Sequence, residues 1–415
     1  MSTVGQRAGA EVEDDHTDVC VVGAGPAGLT LALLLLRSGV RVTVVERSRS
    51  HEREFRGEIL QPGAMAVLDK LGVLRAARER GCHEHSRFRL VERDRVLLDI
   101  DYRSLPAPYD HLLSLPQSHL LTALLLGCAA FPGFRYLDGC RVNQLLRDER
   151  GRITGAAGDG YAVHAKVVVG ADGRFSKVRR LAGIDAGRTE AFDQDVLWFK
   201  LRGEPSASHD VRVFRSAGTS PVLVYASWPD QLQIGWTLPH KGYQEVVKHG
   251  LGHVKEQLAK AVPAYADLIE DQITSLRDLS LLDVFSGRAE RWAADGLVLI
   301  GDAAHTHSPI GAQGINLAVQ DAVVLHPLLV EAVRGGSADA AFLGRFEEKR
   351  AADIAAMMRL QGLQSKAMLS TGAFATHVRP RLAAVVQRTP LYRKVLRTIA
   401  FGNPSIRVAE ELFTA

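Results

Sequence analysis

The sequence predicts an α/β fold in which a parallel sheet with covering helices carries an inserted antiparallel sheet and is followed by a C-terminal helical region. Three observations predict it. A glycine-rich turn near the start joins a β-branched run to an apolar helix, two later apolar runs each end in an aspartate, and helix-free strand-like runs lie between those two. Because the carboxyl ends of parallel strands meet at one edge of an open sheet, the turn and the two aspartates belong to one Rossmann-like domain.

Length and composition describe a globular chain with more than one domain. A chain of 415 residues is longer than a single domain usually is. Hydrophobic residues make up 46% and charged residues 24% of the chain, a composition that excludes a disordered protein. The formal net charge of +4 is too small for a dedicated nucleic-acid binder. Four cysteines without Cys-x-x-Cys spacing argue against a disulfide framework and zinc clusters. Without a signal peptide or an apolar run of about 20 residues that could span a membrane, the expected location is the cytoplasm.

Changes of pattern along the chain give the expected domain boundaries. Residues 1–15 are polar and acidic and are predicted to form a disordered tail. The predicted segments are 16–85, 105–192 and 283–340 for the dinucleotide-binding domain, 86–104 and 193–282 for the substrate domain, and 341–415 for the C-terminal helical region.

The first predicted element is a βαβ unit, with a strand over Asp18–Val22, a helix over Leu29–Leu36 and a second strand over Val40–Val45. In the turn between them, Gly23 permits the tight bend, Gly25 lets the backbone approach a pyrophosphate, and Gly28 lets helix and strand pack closely. Glu46 follows Gly28 by eighteen residues, the spacing of a carboxylate that accepts hydrogen bonds from an adenosine ribose. A glycine turn without a ligand is the alternative, and the flanking elements favour the dinucleotide site.

Two later strands end in a similar way. One runs into Gly170-Ala171-Asp172-Gly173 with Arg179 close behind, and the other, Leu297–Ile300, runs into Gly301-Asp302. The second is followed by Pro309–Asn316, a glycine-containing loop that opens a helix through Asp321. Three ligand-facing strand ends from distant parts of the chain predict one long ligand, a dinucleotide.

The inserted block has a different character. Short strand-like runs cover Val196–Leu201, Asp210–Arg215, Pro221–Trp228 and Gln231–Leu238, and residues 86–104 add a possible hairpin to the same antiparallel sheet. Helices are expected over Gln244–Val262, Ala341–Met358 and Pro380–Thr398.

Together these motifs resemble those of the single-component (class A) FAD-dependent monooxygenases of the para-hydroxybenzoate hydroxylase type, whose FAD-binding domain is of the GR2 type. The resemblance covers roughly residues 17–350 and is carried by Gly23-x-Gly25-x-x-Gly28 with Glu46, by Asp172-Gly173, and by Gly301-Asp302 with Pro309–Asn316. We call Pro309–Asn316 the flavin loop. The resemblance implies FAD as cofactor and NAD(P)H as a transient co-substrate, and it does not separate NADH from NADPH.

The resemblance also implies roles for residues at matching positions. The flavin loop would wrap the isoalloxazine ring, and Pro309 and Arg56 would belong to the catalytic flavin environment, with no acid or base assigned. Ala312 stands where many relatives have glycine. The implied cofactor-binding residues are Gly23, Ala24, Gly25, Ala27, Gly28, Glu46, Arg47, Arg56, Gln117, Val142, Asp172, Arg179, Gly301, Asp302, Pro309, Ala312, Gln313, Gly314, Ile315 and Asn316.

The substrate pocket is predicted on one face of the inserted sheet. Even-numbered residues such as Ile234 and Trp236 share a face, and by the family's layout this face would cover the flavin. The predicted pocket residues are Phe214, Tyr225, Trp228, Ile234 and Trp236, with Trp198 as a further member. Plain core packing is the alternative for each aromatic. Polar candidates for a proton relay are Tyr225, Arg215, Gln233 and His240, and no spacing singles out one of them.

Two features outside these motifs have plain explanations. His305 and His307 have the spacing of a metal-binding pair, but no further ligand cluster accompanies them, so no metal is predicted. His305 is assigned to the turn before the flavin loop, and His307 is interpreted as incidental. Residues Ile354–Ala409 contain nine Lys or Arg and no Asp or Glu. This basic region is a solvated helical face, part of the substrate mouth, or a docking surface for an acyl carrier protein or lipid headgroups.

The resemblance implies a monooxygenase that uses NAD(P)H and O2, through a flavin C4a-hydroperoxide, to hydroxylate a hydrophobic aromatic compound of phenolic or polyketide type, in secondary metabolism such as antibiotic biosynthesis. Epoxidation and Baeyer–Villiger insertion start from the same species and stay open. Two other classes stay open as well, a flavin-dependent reductase of isoprenoid double bonds and an FAD-bound protein that sequesters a small molecule. A halogenase is disfavoured because Trp236 lacks the paired tryptophan of that group.

Overall fold

The computed structural model describes residues 13–50, 58–92, 95–189, 194–203, 210–215, 220–239, 242–282, 284–369, 381, 385–387 and 389–414. The strands are β1 (Glu13–Val22), β2 (Val42–Val45), β3 (Ile59–Leu60), β4 (His83–His85), β5 (Arg87–Glu92), β6 (Arg95–Asp101), β7 (Leu112–Ser114), β8 (Phe134–Leu137), β9 (Gln144–Arg147), β10 (Ile153–Gly158), β11 (Tyr161–Gly170), β12 (Ala186–Thr189), β13 (Gln194–Arg202), β14 (Asp210–Arg215), β15 (Val222–Ser227), β16 (Gln231–Pro239), β17 (Ser280–Leu282), β18 (Ser286–Ala289), β19 (Ala293–Ala294), β20 (Leu297–Leu299) and β21 (His305–Thr306). The helices are α1 (Pro26–Arg37), α2 (Pro62–Lys70), α3 (Leu74–Glu79), α4 (Gln117–Ala129), α5 (Lys177–Leu181), α6 (Gly242–Lys248), α7 (Gly250–Ala261), α8 (Ala266–Gln272), α9 (Gly314–Val333), α10 (Ala340–Leu369) and α11 (Pro390–Phe401).

The largest sheet has the order β19-β20-β11-β1-β2-β8, and β10 and β9 extend it from β11. Strands β20, β11, β1, β2 and β8 run parallel. Both faces of this sheet are covered, so its strands are continuous apolar runs such as Val19–Val22, all buried. Helix α1 is buried from Ala27 to Leu36 because it packs between the sheet and other helices, including α4 and α9.

Strand β1 begins earlier than the sequence predicts. Glu13, Asp14 and Asp15, assigned to a disordered tail, pair in parallel with residues Tyr161–Val163 of β11. The long β11 offers backbone partners beyond the apolar run, and the Asp15 carboxylate accepts a hydrogen bond from the Thr43 hydroxyl at 2.6 Å. The predicted tail is therefore too long by these three residues, and residues 1–12 lie outside the described part of the chain.

The inserted sheet has the order β17-β13-β16-β15-β14-β5-β6. Its pairs are antiparallel except that β14 and β5 run parallel, from Asp210 beside Arg87 to Arg215 beside Glu92. The expected antiparallel sheet is thus a mixed one, because the β5–β6 hairpin joins from a distant part of the sequence. The helix expected over Gln244–Val262 is broken into α6 and α7 at Gly250, whose φ is +82°.

The C-terminal helices pack on the first domain and on the flavin loop. α10 continues to Leu369, beyond the predicted end at Met358. The stretch Ile310–Val333, which contains α9, is long and apolar enough to cross a membrane, but 78% of its most apolar window is buried inside the protein. It is therefore a core helix among the residues that the structure describes.

Candidate active site

The glycine turn has the geometry of an anion site. Helix α1 begins directly after Gly25, with Pro26 at its first position. A Cβ atom on Gly28 would lie 2.0 Å from the carbonyl oxygen of Gly23, so only glycine allows this close packing. A Cβ atom on Gly25 would have no atom of the described residues within 4 Å. The turn therefore combines a tightly packed base with open space at the helix N-terminus, where backbone N–H groups favour a phosphate.

Glu46 lies at the end of β2 and is 3% exposed. Its carboxylate accepts hydrogen bonds from the backbone N–H groups of Ala24, at 2.8 Å, and Ser48, at 3.0 Å. The predicted ribose carboxylate therefore sits against the glycine turn and links it to β2. Arg47, the next residue, is exposed.

Asp172 and Arg179 hold the second strand end in place. The Asp172 carboxylate accepts from the backbone N–H of Lys177 at 2.6 Å and of Val178 at 3.0 Å, which stabilises the start of α5. The Arg179 guanidinium donates to the Ala303 carbonyl at 2.8 Å, and burial lowers its pKa. Asp172 thus connects the end of β11 with α5, and Arg179 connects α5 with the Gly301–Ala303 turn. Asp302 and Arg179 both line an open cavity of about 180 Å³.

The flavin loop is held by glutamine side chains. Gln61 donates to the Gly311 carbonyl at 2.7 Å, and Gln361 donates to the carbonyls of Ser308 at 3.0 Å and Ile310 at 2.8 Å. Gln313 reaches the Ile399 carbonyl of α11 at 2.9 Å. These bonds occupy carbonyl groups of the loop, and two of its N–H groups are engaged as well, Ile310 N–H with the Ser308 hydroxyl at 3.2 Å and Ala312 N–H with the Pro309 carbonyl at 3.1 Å.

Two consecutive loop residues have left-handed backbone conformations, Gly311 with φ +75° and Ala312 with φ +51°. Alanine in this region costs about 1–2 kcal/mol, so Ala312 adds backbone strain as well as a methyl group. The strain lies in the segment that the cofactor contacts in the resemblance drawn above.

A series of hydrogen-bonded, buried side chains runs from Arg350 through Asp321, His305 and His307 to Gln361, which binds carbonyl groups of the flavin loop. Asp321, fully buried, accepts from the Arg350 guanidinium at 2.9 Å, from the Gly301 N–H at 2.9 Å and from the His305 ring at 2.6 Å. Burial would raise the pKa of Asp321, but His305 and Arg350 lower it to about 2. His305 contacts His307 at 3.0 Å, and His307 contacts Gln361 at 3.3 Å.

The reading of His307 as incidental is therefore wrong. Its ring is 6% exposed and connects His305 to the glutamine that binds the loop carbonyls. Burial, together with nearby His305, lowers the pKa of His307 to about 3, so the ring is neutral at physiological pH.

The residues of this edge fit a dinucleotide. Among the residues that the structure describes, two buried acceptors, Gln117 Oε1 and Asn316 Oδ1, have no hydrogen-bond partner, and both belong to the predicted cofactor set. Gly314 has open space where a side chain would be. Val142 is buried beside the same domain core, and Arg56 lies outside the described residues. Unpaired acceptors and empty space at predicted contact positions are what a hydroxyl-rich ligand would fill.

Comparison with known proteins identifies the family. A family model described as "FAD binding domain" matches residues 16–361. The 6-methylpretetramide 4-monooxygenase of Streptomyces rimosus is 59% identical over 401 residues, which cover 96% of this chain and 95% of that protein. This chain belongs to the FAD-dependent monooxygenases of the para-hydroxybenzoate hydroxylase type.

Solved structures agree with this family. Pseudomonas aeruginosa PqsL in complex with 2-aminobenzoylacetate superimposes with a TM-score of 0.77 at 25% identity, covering 90% of this chain and all of that one. The p-nitrophenol 4-monooxygenase of Pseudomonas putida DLL-E4 has a TM-score of 0.80 at 18% identity, covering 95% of this chain and 100% of that one, which shows the shared fold. The protein is a flavoprotein oxidoreductase that binds FAD, in a family that depends on NAD(P)H.

The predicted substrate face of the inserted sheet is the wrong one. Ile234 and Trp236 are buried together with Val254 and Leu258 of α7, and Phe214 packs edge-on against Tyr265, their ring centroids 6.5 Å apart. These residues form the core between the sheet and its own helices. Trp228 lies at the end of the sheet with its ring over Gly81 and is 40% exposed. Alternation identified two faces correctly, but both are apolar, so it could not tell which one meets the flavin loop.

Tyr225 and Trp198 lie on the opposite face, which does meet the flavin loop. Tyr225 belongs to an apolar cluster with Ile59 and with Leu396 and Ala400 of α11, and against it pack Phe88, Ile100, Trp198, Leu223, Ala312, Tyr392 and Phe401. Trp198 and Ile310 of the loop also pack against the same pair, Val196 and Val284. The half-buried aromatics of this face therefore pack where the flavin loop, the sheet and α11 meet.

A charged group interrupts this aromatic face. Lys200 lies opposite Gln233 on the neighbouring strand, and Gln233 lies opposite Tyr225 on the strand after that, so the three residues stand in one row on the same face of the sheet. Glu58, buried just before β3, accepts from the Lys200 ammonium at 2.7 Å and from the Ser227 hydroxyl at 2.7 Å. Burial and the Glu58 charge both raise the pKa of Tyr225, whose hydroxyl therefore stays protonated.

The other predicted relay candidates are placed differently. The Arg215 guanidinium is buried at the end of β14 and pairs with Glu92 at 2.9 Å, and His240 lies outside the described residues. Sequence reasoning missed Glu58, Lys200, Ser227 and Tyr392. The pairing register of the inserted sheet places Lys200 and Ser227, whereas Glu58 comes from the segment before β3 and Tyr392 from α11.

Proposed function

We propose that this protein uses NAD(P)H and O2 to hydroxylate a planar phenolic polyketide of the pretetramide class in the biosynthesis of a tetracycline-type antibiotic. The observation that carries the proposal is the aromatic and apolar surface that the inserted sheet and α11 place against the flavin loop, which suits a flat, hydrophobic molecule. The 59% identical relative, named for its action on 6-methylpretetramide, supports the substrate class. The cytosol is the proposed location.

The bound FAD supplies the chemistry of O2 activation. Gly23, Gly25 and Gly28 would hold its pyrophosphate, Glu46 its adenosine ribose and Asp302 its ribityl chain, and the flavin loop would donate N–H groups to the ring. The chain's own task at the reacting carbon is to exclude water and fix the geometry of the aromatic ring.

Helix α11 contributes to that enclosure. Its inner residues Leu396 and Ala400 are buried against the cluster that contains Tyr225, while Arg393, Lys394 and Arg397 are exposed. Burial raises the pKa of Tyr392 to about 12, and its buried hydroxyl has no hydrogen-bond partner in the described part of the chain. We therefore assign this part of the basic region to the substrate mouth, with the Tyr392 hydroxyl as a donor to a substrate oxygen.

The test is the rate of NAD(P)H and O2 consumption by the FAD-loaded protein with and without 6-methylpretetramide. The proposal predicts that the substrate stimulates both and is consumed in equal amount. Anaerobic turnover with an external electron donor would instead indicate a reductase. Saturable binding without turnover would indicate a sequestering protein.

A further inference from the structure

The buried pair of His305 and His307 uses all four of its ring nitrogens. Nδ1 of His305 contacts Nε2 of His307 at 3.0 Å. The outer nitrogens contact Asp321, at 2.6 Å from His305 Nε2, and Gln361, at 3.3 Å from His307 Nδ1. Two rings therefore take part in three consecutive hydrogen bonds, and the number of ring protons decides whether all three can form.

The Gln361 end of this series requires a proton on His307. The Gln361 amide nitrogen donates to the carbonyl oxygens of Ser308, at 3.0 Å, and Ile310, at 2.8 Å, and a carbonyl oxygen can only accept. The orientation of the amide is therefore fixed, with its oxygen toward His307 Nδ1. Because an amide oxygen also only accepts, Nδ1 of His307 carries a proton.

The Asp321 end requires a proton on His305. One oxygen of Asp321 accepts from the Arg350 guanidinium at 2.9 Å, and the other accepts from the Gly301 N–H at 2.9 Å. Burial would raise the pKa of Asp321, but His305 and Arg350 lower it to about 2, so the group is a carboxylate without a proton to donate. Nε2 of His305 is therefore the donor in the 2.6 Å contact.

The contact between the two rings needs one proton more. With N–H groups already at His305 Nε2 and His307 Nδ1, a neutral pair has no proton left for the 3.0 Å contact, and two lone pairs would face each other. A third proton completes the series and gives the pair one positive charge. Burial, together with nearby His305, lowers the pKa of His307 to about 3, which places the charge on His305 beside the Asp321 carboxylate.

The buried charges around the pair balance only with this extra proton. Arg350, fully buried, contacts the carboxylates of Asp321 at 2.9 Å and Asp353 at 3.1 Å. Two carboxylates and one guanidinium leave one negative charge, which a protonated His305 compensates. An uncompensated buried charge is strongly destabilising, so the balanced arrangement is favoured.

The other side of His305 faces an ion pair that is balanced in itself. Arg288 lies opposite His305 on the neighbouring strand β18 and pairs with Glu347 of α10 at 2.7 Å. The Trp292 ring packs against the imidazole, with the ring centroids 4.9 Å apart. These neighbours leave the charge on His305 to be set by Asp321.

We propose that the pair holds three ring protons, as an imidazolium at His305 and a neutral ring at His307, and that it is a positioning device that aims the Gln361 amide at the flavin loop. An amide that turns over exchanges its nitrogen and its oxygen. Without the N–H of His307 facing it, the Gln361 amide can turn over, which breaks both contacts to the loop carbonyls. His305 and His307 thus act on FAD binding through Gln361 and do not need to touch the cofactor.

The first test is ¹⁵N NMR of the FAD-loaded protein labelled in its histidine rings, because each ring nitrogen reports directly whether it carries a proton. At pH 8.5 a histidine with an ordinary pKa of about 6.5 is neutral. His305 should still show two protonated nitrogens, whereas His307 should show one, at Nδ1. His326 is the internal control, since it is buried against Ser38 and burial lowers its pKa to about 4, so its ring should be neutral.

The second test separates hydrogen bonding from packing at His307. His307→Leu keeps an apolar side chain of similar size without donor or acceptor, and it should weaken FAD binding about two- to tenfold. His307→Gln, whose amide can donate to Gln361 and accept from His305, should restore most of the affinity. The dissociation constant of FAD is measured by fluorescence titration of the apoprotein. His249→Leu changes an exposed histidine and should bind FAD as wild type does.

Two results would overturn the inference. A His305 ring with one protonated nitrogen at pH 8.5 contradicts the charge assignment, and equal FAD affinity of folded His307→Leu and wild type contradicts the positioning role. The melting temperature shows whether His307→Leu is folded, and if it is not, the spectrum of wild type decides alone. Both tests are made without substrate, so their outcome is independent of the proposed hydroxylation.

Discussion

At the scale of single residues, Gly28 is the position on which the cofactor site depends most directly. Replacing it with alanine would place a Cβ atom 2.0 Å from the Gly23 carbonyl oxygen, so the turn must open. We expect Gly28→Ala to weaken FAD binding at least tenfold, which is about 1.4 kcal/mol. FAD content after gel filtration and titration of the apoprotein measure this. Gly362→Ala in α10, where no atom lies within 4 Å, is the control and should bind FAD normally.

His307 makes a pH-dependent contribution to stability. Its pKa is about 3 in the folded protein and 6.5 in an unfolded chain, so between these values the unfolded chain binds a proton that the folded one does not. Stability is therefore lost as the pH falls below about 6.5, by about 2 kcal/mol at pH 5 from this residue alone. His326, with a pKa of about 4, acts in the same direction.

Melting temperatures at pH 7.5 and 5.0 test this contribution. His307→Gln, which cannot titrate, should lose clearly less stability between the two pH values than wild type. His249→Gln changes an exposed histidine and should keep the wild-type difference. An unchanged difference in His307→Gln would show that the ring is not neutral in the folded protein.

At the scale of elements, the contact between α11 and the flavin loop depends on Gly402, which ends α11 with φ 74° and ψ −148°. Side chains rarely adopt this conformation, at a cost of about 1–3 kcal/mol, and a Cβ atom would lie 2.3 Å from the Gln320 amide nitrogen. Gly402→Ala should therefore loosen α11, speed hydrogen exchange of its amides and raise the KM for substrate.

Gly344→Ala is the matched control for that experiment. It lies inside α10 with no atom within 4 Å of a Cβ atom, and alanine is about 1 kcal/mol better than glycine in a helix. It should be as stable as wild type or more stable. Faster exchange in α11 for both variants would contradict the role of Gly402.

The elements also show how far sequence reasoning reaches. The glycine turn, Glu46 and the two aspartate-ended strands could be predicted because tight backbone approach and strand ends leave local signals. Which face of the inserted sheet meets the flavin loop could not be predicted, because Trp236 and Tyr225 lie on opposite faces and both faces are apolar. The link from Glu58 to Lys200 spans 142 residues and depends on register, for which one strand's pattern carries no information.

At the scale of the whole molecule, two sheets and the C-terminal helices meet at the flavin loop. The first sheet supplies the glycine turn and the two aspartate-ended strands, and the inserted sheet and α11 form an apolar cluster against which Ala312 of the loop packs. In the proposed function, this arrangement would hold a flat substrate beside the bound flavin and exclude water. It is the arrangement expected of an oxygen-inserting enzyme, and it predicts tight coupling between NAD(P)H use and product.

The most direct test of this account is turnover under ¹⁸O2. The FAD-loaded protein is supplied with NAD(P)H and 6-methylpretetramide, and the product is analysed by mass spectrometry. The account predicts a product that carries one oxygen atom more than the substrate, with that atom labelled from ¹⁸O2. A product without the label, or NAD(P)H consumption that yields only hydrogen peroxide while the substrate stays unchanged, would contradict it.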